Sequence, residues 1–402
     1  MFRLRSAILG IATLTWSAMI PFYESQGADY FPPQEAFGGW RKTNNSDFIF
    51  ALGLEPERVT EYGRYNLSID NSHMGGYDYG YYKSALVVKN GWIVGEWYNR
   101  PDGQQFKNYL SSNGKSFVIA LFGVMLEDRN RGELSVDIDL DSRVYDRRWL
   151  PQGFPLSDPR KAEITFDQIF QHTSGLMPEV AADGTTIEIG RNRWSNYVRW
   201  VVGHDPLWPE TGRLFFSPGK PREFVDHETW GSHIGAYSSI GFAHLGLVFQ
   251  NIYRRPVDRI LRERLLQHLG FSGVDYHLPP TPQIKWFTAG GLRMTTRDYA
   301  RFAYFLLRSG KWNNRQLLPE GWLDHFIQSA CYPNIRSNID GYFGDEYPKD
   351  MFRIFGSGGN LAIIVPSLDL IALRTGRVSS FLQENLHRDF TRRVFRMIPG
   401  YD

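Results

Sequence analysis

A hydroxyl and an amine stand three residues apart at Ser112 and Lys115, at the head of the run Ser112-Asn113-Gly114-Lys115-Ser116-Phe117-Val118-Ile119-Ala120-Leu121-Phe122. Residues at i and i+3 share one face of a helix, so the amine of Lys115 can reach the Ser112 hydroxyl and take its proton. The residues that follow are apolar nearly all round, the mark of a buried helix. Burial disfavours the ammonium form of a lysine and lowers its pKa. The pair therefore reads as a serine nucleophile with its own base, the chemistry of acyl transfer. For Lys115 to act near neutrality its pKa must fall by roughly three, at a cost of about 4 kcal/mol.

The pattern alone is not specific. Ser217-Pro218-Gly219-Lys220 has the same spacing, and a chain of this length yields roughly one S-x-x-K match by chance. Pro218, Gly219 and Pro221 keep residues 217 and 220 off a common helix face, which predicts a turn there. Ser112 read by itself fits equally a helix N-cap followed by a snorkelling lysine.

Acyl transfer needs two further parts. A proton carrier to the leaving group is offered by Tyr237 in Ala236-Tyr237-Ser238-Ser239, just ahead of the helical run from Phe242 to Val248; the plainer reading is a core tyrosine with a satisfied hydroxyl. A main-chain donor for an oxyanion is offered by Ile354-Phe355-Gly356-Ser357-Gly358-Gly359-Asn360, whose glycines let a substrate approach the backbone. A glycine-rich turn without ligand duty is the alternative.

The elements that must hold these residues can be read around them. Two β-rich runs, Ser84 to Lys89 and Trp92 to Tyr98, flank Asn90-Gly91, a strong hairpin signal. A second hairpin is predicted from Leu361 to Arg374 around Pro366-Ser367-Leu368-Asp369, followed by a helix from about Ser380 to Phe395. Helices are predicted at Glu55 to Asn71, Phe166 to Gln171, Trp194 to Val202, Ser239 to Gln250 and Val257 to Leu269. Another opens at the capping-box sequence Thr295-Thr296-Arg297-Asp298. The fold class expected is α+β: an antiparallel sheet built from both ends of the chain, flanked by helices, with a helical region inserted. Ser112 falls at the junction.

Length and charge bound the function. The chain has 402 residues, 42% of them apolar, enough for a sizeable core. Its 45 basic and 43 acidic residues form no long run of either sign, so there is no electrostatic footprint for nucleic acid or an anionic membrane. Met1-Phe2-Arg3-Leu4-Arg5, the apolar stretch to Ile20 and the small residues Ser25 and Gly27 have the form of a secretory signal over residues 1–27. A periplasmic or secreted protein with no membrane span after cleavage is expected. The one cysteine, Cys331, cannot form an internal disulfide. Residues 28–54 read as an extended N-terminal arm and 55–402 as the catalytic domain, with sheet at about 55–111 and 287–402 and helices at about 112–286.

The order Ser112-x-x-Lys115, Tyr237-x-Ser239 and a glycine-rich segment near the C-terminus resembles the serine β-lactamase and penicillin-binding-protein superfamily. The likeness is greatest to its class C β-lactamase and family VIII carboxylesterase branch. Gln171-His172-Thr173-Ser174-Gly175-Leu176, Ala289-Gly290-Gly291-Leu292-Arg293 and Leu317-Leu318-Pro319-Glu320-Gly321-Trp322 extend it over about residues 55 to 395. The resemblance implies the β-lactamase/transpeptidase-like fold, with Ser112 as acylated nucleophile, Lys115 as its base, and Tyr237 as proton carrier. It puts Ser239 in a place where relatives often carry Asn, and an oxyanion hole at the amides of Ser112 and Ser357.

One departure bears on the substrate. Relatives that recognise β-lactams or D-Ala-D-Ala carry a Lys or His, a small residue and Gly ahead of the oxyanion amide, where this chain has Ile354-Phe355-Gly356. Without that cation a substrate carboxylate loses a partner worth about 1.5–3 kcal/mol, and an apolar rim including Phe355 is expected instead. The function expected is an exported serine hydrolase for carboxylic esters or small amides. The alternatives are a β-lactamase or D-Ala-D-Ala carboxypeptidase, and a non-catalytic binder of cell-wall fragments or β-lactams. No cofactor or metal is expected: Asp226-His227-Glu228 with His233 matches no common zinc spacing. His172, just ahead of the stop signal Gly175, reads as structural.

Overall fold

The computed structural model describes residues 30–69, 82–181, 187, 196–225, 236–276, 284–328, 335–339, 341–376, 378 and 380–401. The expected signal segment, Asp226 to Glu228, His233 and Cys331 lie outside them. Among the described residues no helix is long and apolar enough to cross a membrane.

Helix α1 (Ser46–Ala51) and helix α2 (Pro56–Ser68) precede strands β1 (Ser84–Lys89) and β2 (Trp92–Tyr98). Asn90 and Gly91 both have positive φ, 50° and 75°, as the tight turn between those strands requires. Near the other end, β8 (Ile335–Ser337), β9 (Phe352–Gly356), β10 (Asn360–Val365) and β11 (Leu370–Thr375) complete one six-stranded sheet in the order β2-β1-β11-β10-β9-β8. Its neighbours are antiparallel throughout. β1 pairs with β11 from Ser84↔Thr375 to Lys89↔Leu370, so the two ends of the chain meet in the middle of the sheet.

Alternation along the strands gives the sheet two buried faces. Ala85, Val87, Leu361, Ile363 and Ala372 pack outward on Val59 and Tyr62 of α2 and on Phe390 and Val394 of the C-terminal helix, residues 380–395. Leu86, Val88, Ile354, Ala362, Ile371 and Leu373 face the helical body. There α3 (Gly114–Asn130) is buried almost without interruption from Gly114 to Leu126. It stacks Phe117 on Phe302 at 3.6 Å between ring centroids. Phe302 belongs to the helix Thr296–Leu307, capped by Thr295 through the Asp298 amide. The remaining helices include Phe166–Phe170, Tyr197–Val202 and Ser239–Tyr253. The stretch expected as one helix from Val257 to Leu269 is α-helical to Leu261 and then widens into a π-helical turn at Arg262–Leu266.

The short strand β3 (Asn108–Tyr109) carries the chain to Ser112. It pairs with β5 (Leu292–Met294), which also pairs with β4 (Asp275–Tyr276), so this small sheet straddles the expected division at 286/287. The remaining strands, β6 (Lys311–Trp312) and β7 (Arg315–Gln316), form a two-stranded ribbon of their own. The expected extended arm over 28–54 is corrected in its second half. Asn45 accepts the Phe48 amide at 2.8 Å and starts α1, because Ile49, Leu52 and Leu54 then bury together against the outer face of the sheet. The described part of the first half, from Tyr30, lies along the body, held by Arg301, whose guanidinium donates to Pro32 O at 2.7 Å and Pro33 O at 2.6 Å.

Candidate active site

Ser112 sits in a 3-10 turn, Ser111–Asn113, that runs straight into α3. Two backbone segments clamp this turn. On one side a Cβ at Gly114 would lie 2.7 Å from Gly290 Cα, and one at Gly290 would lie 3.0 Å from Ser111 O. On the other, a Cβ at Gly356 would fall 2.1 Å from Leu110 O. No side chain fits at either seam, which is why glycine stands at positions where it weakens a helix or a strand. The Gly290 segment is pinned in turn by Trp286, whose indole N–H donates to Gly290 O at 2.7 Å.

The first turn of α3 puts Lys115 in the interior, fully buried. Its Nζ donates to Ala289 O at 2.8 Å and to Ser239 Oγ at 3.0 Å, and stands 3.3 Å from Ser112 Oγ. Burial lowers its pKa to about 8, against an opposing pull from the Glu179 carboxylate. The amine also faces the Tyr237 ring at 4.5 Å from the centroid. Ser112 itself is half-buried.

Tyr237-Ser238-Ser239 is fixed by the start of the helix Ser239–Tyr253. Ser238 is its N-cap, accepting the Gly241 amide at 3.2 Å, and its own hydroxyl donates to Met177 O at 2.8 Å. His172 supports the same segment. It is buried with a left-handed backbone (φ 57°), accepts the Ser238 amide at Nδ1 at 3.1 Å, and stacks on Tyr237 at 4.3 Å. It holds Tyr237 in place, a structural duty.

Sequence reasoning missed Glu179. Its amide donates to Tyr237 O at 2.8 Å, and its carboxylate accepts the hydroxyl hydrogen of Ser239. The half-buried Glu179 lies three residues past the His172-to-Leu176 segment. That proximity was the one available signal; nothing periodic links it to residue 239. Ser239, assigned only a relative's Asn position, proves to be the direct contact between Lys115 and a carboxylate.

The C-terminal segment divides. Gly356 ends β9 against the nucleophile turn, and Ser357 follows it, exposed, at the same end of the strand. Asn113 Nδ2 donates to Asn360 O at 3.0 Å, and Asn360 Nδ2 to Ser357 O at 3.0 Å, so the turn after β9 is tied to the one bearing Ser112. Phe355, expected in an apolar rim, is corrected. Its neighbours Ile354 and Gly356 take the nucleophile side of the pleat, which turns the Phe355 ring to the other face, 4.4 Å from His387. The one cation of β9, Arg353, is on that far face too, where it meets His387.

The second S-x-x-K match is a turn: Lys220 N donates to Ser217 O at 2.9 Å, Gly219 has φ +79°, and Lys220 is exposed. Among the described residues no cluster of His, Cys, Asp and Glu has the form of a metal site.

Known proteins agree with this architecture. Solved structures of similar fold include EstCE1, a hydrolase with promiscuous acyltransferase activity (TM-score 0.58, 15% identity, covering 86% of this chain and 99% of that one). A penicillin-binding protein homologue from Caulobacter crescentus matches at TM-score 0.57 and 14% identity, over 85% of this chain and 97% of that one. A β-lactamase from Mycobacterium bovis matches at 0.51 and 18%, over 81% and 97%. A search of curated proteins finds no match. The sequence model of the Beta-lactamase family matches residues 84–337, more than half of the chain. The protein has the β-lactamase/transpeptidase fold and belongs to the β-lactamase family of serine hydrolases.

Proposed function

We propose that this chain is an exported hydrolase that acylates Ser112 and cleaves carboxylic esters or small amides with uncharged acyl groups. The observation that carries the proposal is the position of Lys115 Nζ, buried and 3.3 Å from Ser112 Oγ. In the neutral form Lys115 takes the Oγ proton as Oγ bonds to the substrate carbonyl carbon. The carbonyl electron pair moves onto oxygen, facing the amides of Ser112 and Ser357 and the start of α3, whose dipole favours negative charge. Collapse restores the carbonyl and breaks the bond to the leaving group, which receives the proton through Tyr237. Water then repeats the sequence on the acyl-enzyme and releases the acid.

The substrate class rests on charge. The nucleophile face of β9 carries Ile354 and Gly356, while Arg353 points away. That strand therefore supplies no cation for a substrate carboxylate, which supports neutral esters over β-lactams. A chain-length series of p-nitrophenyl esters run beside nitrocefin tests the reading. Turnover of acetate or butyrate that Ser112→Ala abolishes is expected, with kcat/KM rising as the pH passes through about 8. Full activity in Ser112→Ala would overturn the nucleophile, and rapid nitrocefin turnover the substrate class. Stable labelling by a fluorescent penicillin without turnover would point to a binder.

A further inference from the structure

The hydrogens around Lys115 can be counted. A neutral lysine has two N–H bonds and one lone pair, and it is a base toward Ser112 only if the lone pair, not a hydrogen, faces Oγ. Ala289 O can only accept, so it takes one N–H at 2.8 Å. The Ser239 hydroxyl is ambivalent: its oxygen can accept the second N–H, or its hydrogen can turn toward the lone pair and compete with Ser112. The structure resolves this through Glu179, whose carboxylate receives the Ser239 hydrogen while Lys115 donates to Ser239 Oγ at 3.0 Å.

We propose that Glu179 is a positioning residue for the base: by taking the Ser239 hydroxyl hydrogen it makes Ser239 accept from Lys115 and leaves the lysine lone pair aimed at Ser112. The inference rests on the acyl-transfer reading above and adds a third group behind the Ser/Lys pair, the logic by which an orienting partner fixes a base in other nucleophilic sites. Glu179 is itself set by the backbone, through its amide bond to Tyr237 O at 2.8 Å. The titratable groups facing Lys115 among the described residues are Glu179 and the Tyr237 ring, with His172 stacked behind Tyr237; the segment at Ala289 offers only a carbonyl. The negative charge of Glu179 favours the ammonium, so it orients the base while making it harder to deprotonate.

Two variants separate those effects, read as kcat, KM and the pH profile on p-nitrophenyl butyrate. Glu179→Ala removes both acceptor and charge, and kcat is expected to fall about 10- to 100-fold with KM changed less than about two-fold. Glu179→Gln keeps an acceptor for the Ser239 hydrogen and restores most of that loss. It also moves the acid limb of the profile down by about one pH unit, because the charge that favoured the ammonium is gone. A purely structural role would not move that limb. Wild-type kcat in Glu179→Ala, an unmoved limb in Glu179→Gln, or a Glu179→Gln as slow as Glu179→Ala would each overturn the proposal. Circular dichroism reports folding; if Glu179→Ala is unfolded, the Glu179→Gln profile decides. Ser112→Ala is run alongside: if it stays active the acyl-transfer reading fails, whereas an inactive Ser112→Ala beside an unaffected Glu179→Ala removes only the role of Glu179.

Discussion

Two lysines of this protein have nearly the same surroundings and opposite uses. Lys115 and Lys161 are both fully buried, and burial lowers the pKa of each to about 8. Each also contacts one serine hydroxyl in its own part of the chain. Lys161 Nζ donates to Ser157 Oγ at 2.9 Å, Thr211 O at 3.0 Å and Val202 O at 3.2 Å. The Ser157 hydrogen is already committed to Gly212 O at 2.7 Å. All three partners of Lys161 are therefore acceptors, and the ammonium ties together three separate segments of the chain. Lys115 Nζ likewise meets three oxygens, Ala289 O, Ser239 Oγ and Ser112 Oγ, but the Ser239 hydrogen goes to Glu179, and Ser112 is the hydroxyl proposed to give up its proton. A depressed pKa marks both sites; which partner holds a transferable proton distinguishes them.

The largest expected contrast is catalytic. Lys115→Met should cost at least about 1,000-fold in kcat on p-nitrophenyl butyrate, the scale of removing a base that acts with its nucleophile. Lys161→Met should keep kcat within about two-fold per folded molecule. A folded but inactive Lys161→Met would break the comparison.

The next contrast should vanish, which sharpens the point. A lysine whose folded pKa is depressed destabilises the fold wherever it is protonated in the native state. Between pH 8 and 10.5 the unfolded chain binds more protons than the folded one, so stability rises with pH through that window. Wild type should gain about 3 kcal/mol relative to Lys115→Met between pH 7 and pH 10.5, and a similar amount relative to Lys161→Met, measured by urea unfolding at both pH values. A flat difference at either site would mean that burial does not depress the pKa of its lysine.

The smallest expected effect concerns the glycine seams. Gly290→Ala brings a methyl group to 3.0 Å from Ser111 O, and Gly212→Ala brings one to 2.9 Å from Gly203 O beside Lys161. Each should cost about 1 kcal/mol in stability. Only Gly290→Ala should also lower kcat, by several-fold, since it shifts the turn that carries Ser112. Equal kcat in the two variants would show that the seam has slack.

The sequence carried those parts of this design that are local. The Asn90-Gly91 and Pro366-to-Asp369 turns, the Thr295 cap and the apolar run after Ser112 all express themselves within a few residues, and the elements stand where they were expected. Ser112 and Lys115 were legible because one helical turn joins them. Glu179 was not, because it reaches Ser239 across 60 residues through a loop that pairs with residue 237. Phe355 was misplaced for a related reason. Which face of β9 meets the nucleophile depends on its register with β10, Asn360 opposite Gly356, and that register is a property of two strands together. The second half of the arm was misread because Asn45 starts a helix whose apolar residues find their partners only on the assembled sheet.

The glycine seams have a consequence for how such a protein changes over time. The turn bearing Ser112 is located by main chain against main chain, at Gly114–Gly290 and Gly356–Leu110. Side chains of the site other than Trp286 and Asn113, which help hold these segments, can thus be exchanged with little movement of the attacking oxygen. Selection can retune what the protein cleaves while leaving the cleavage machinery in register, and a protein engineer inherits the same freedom.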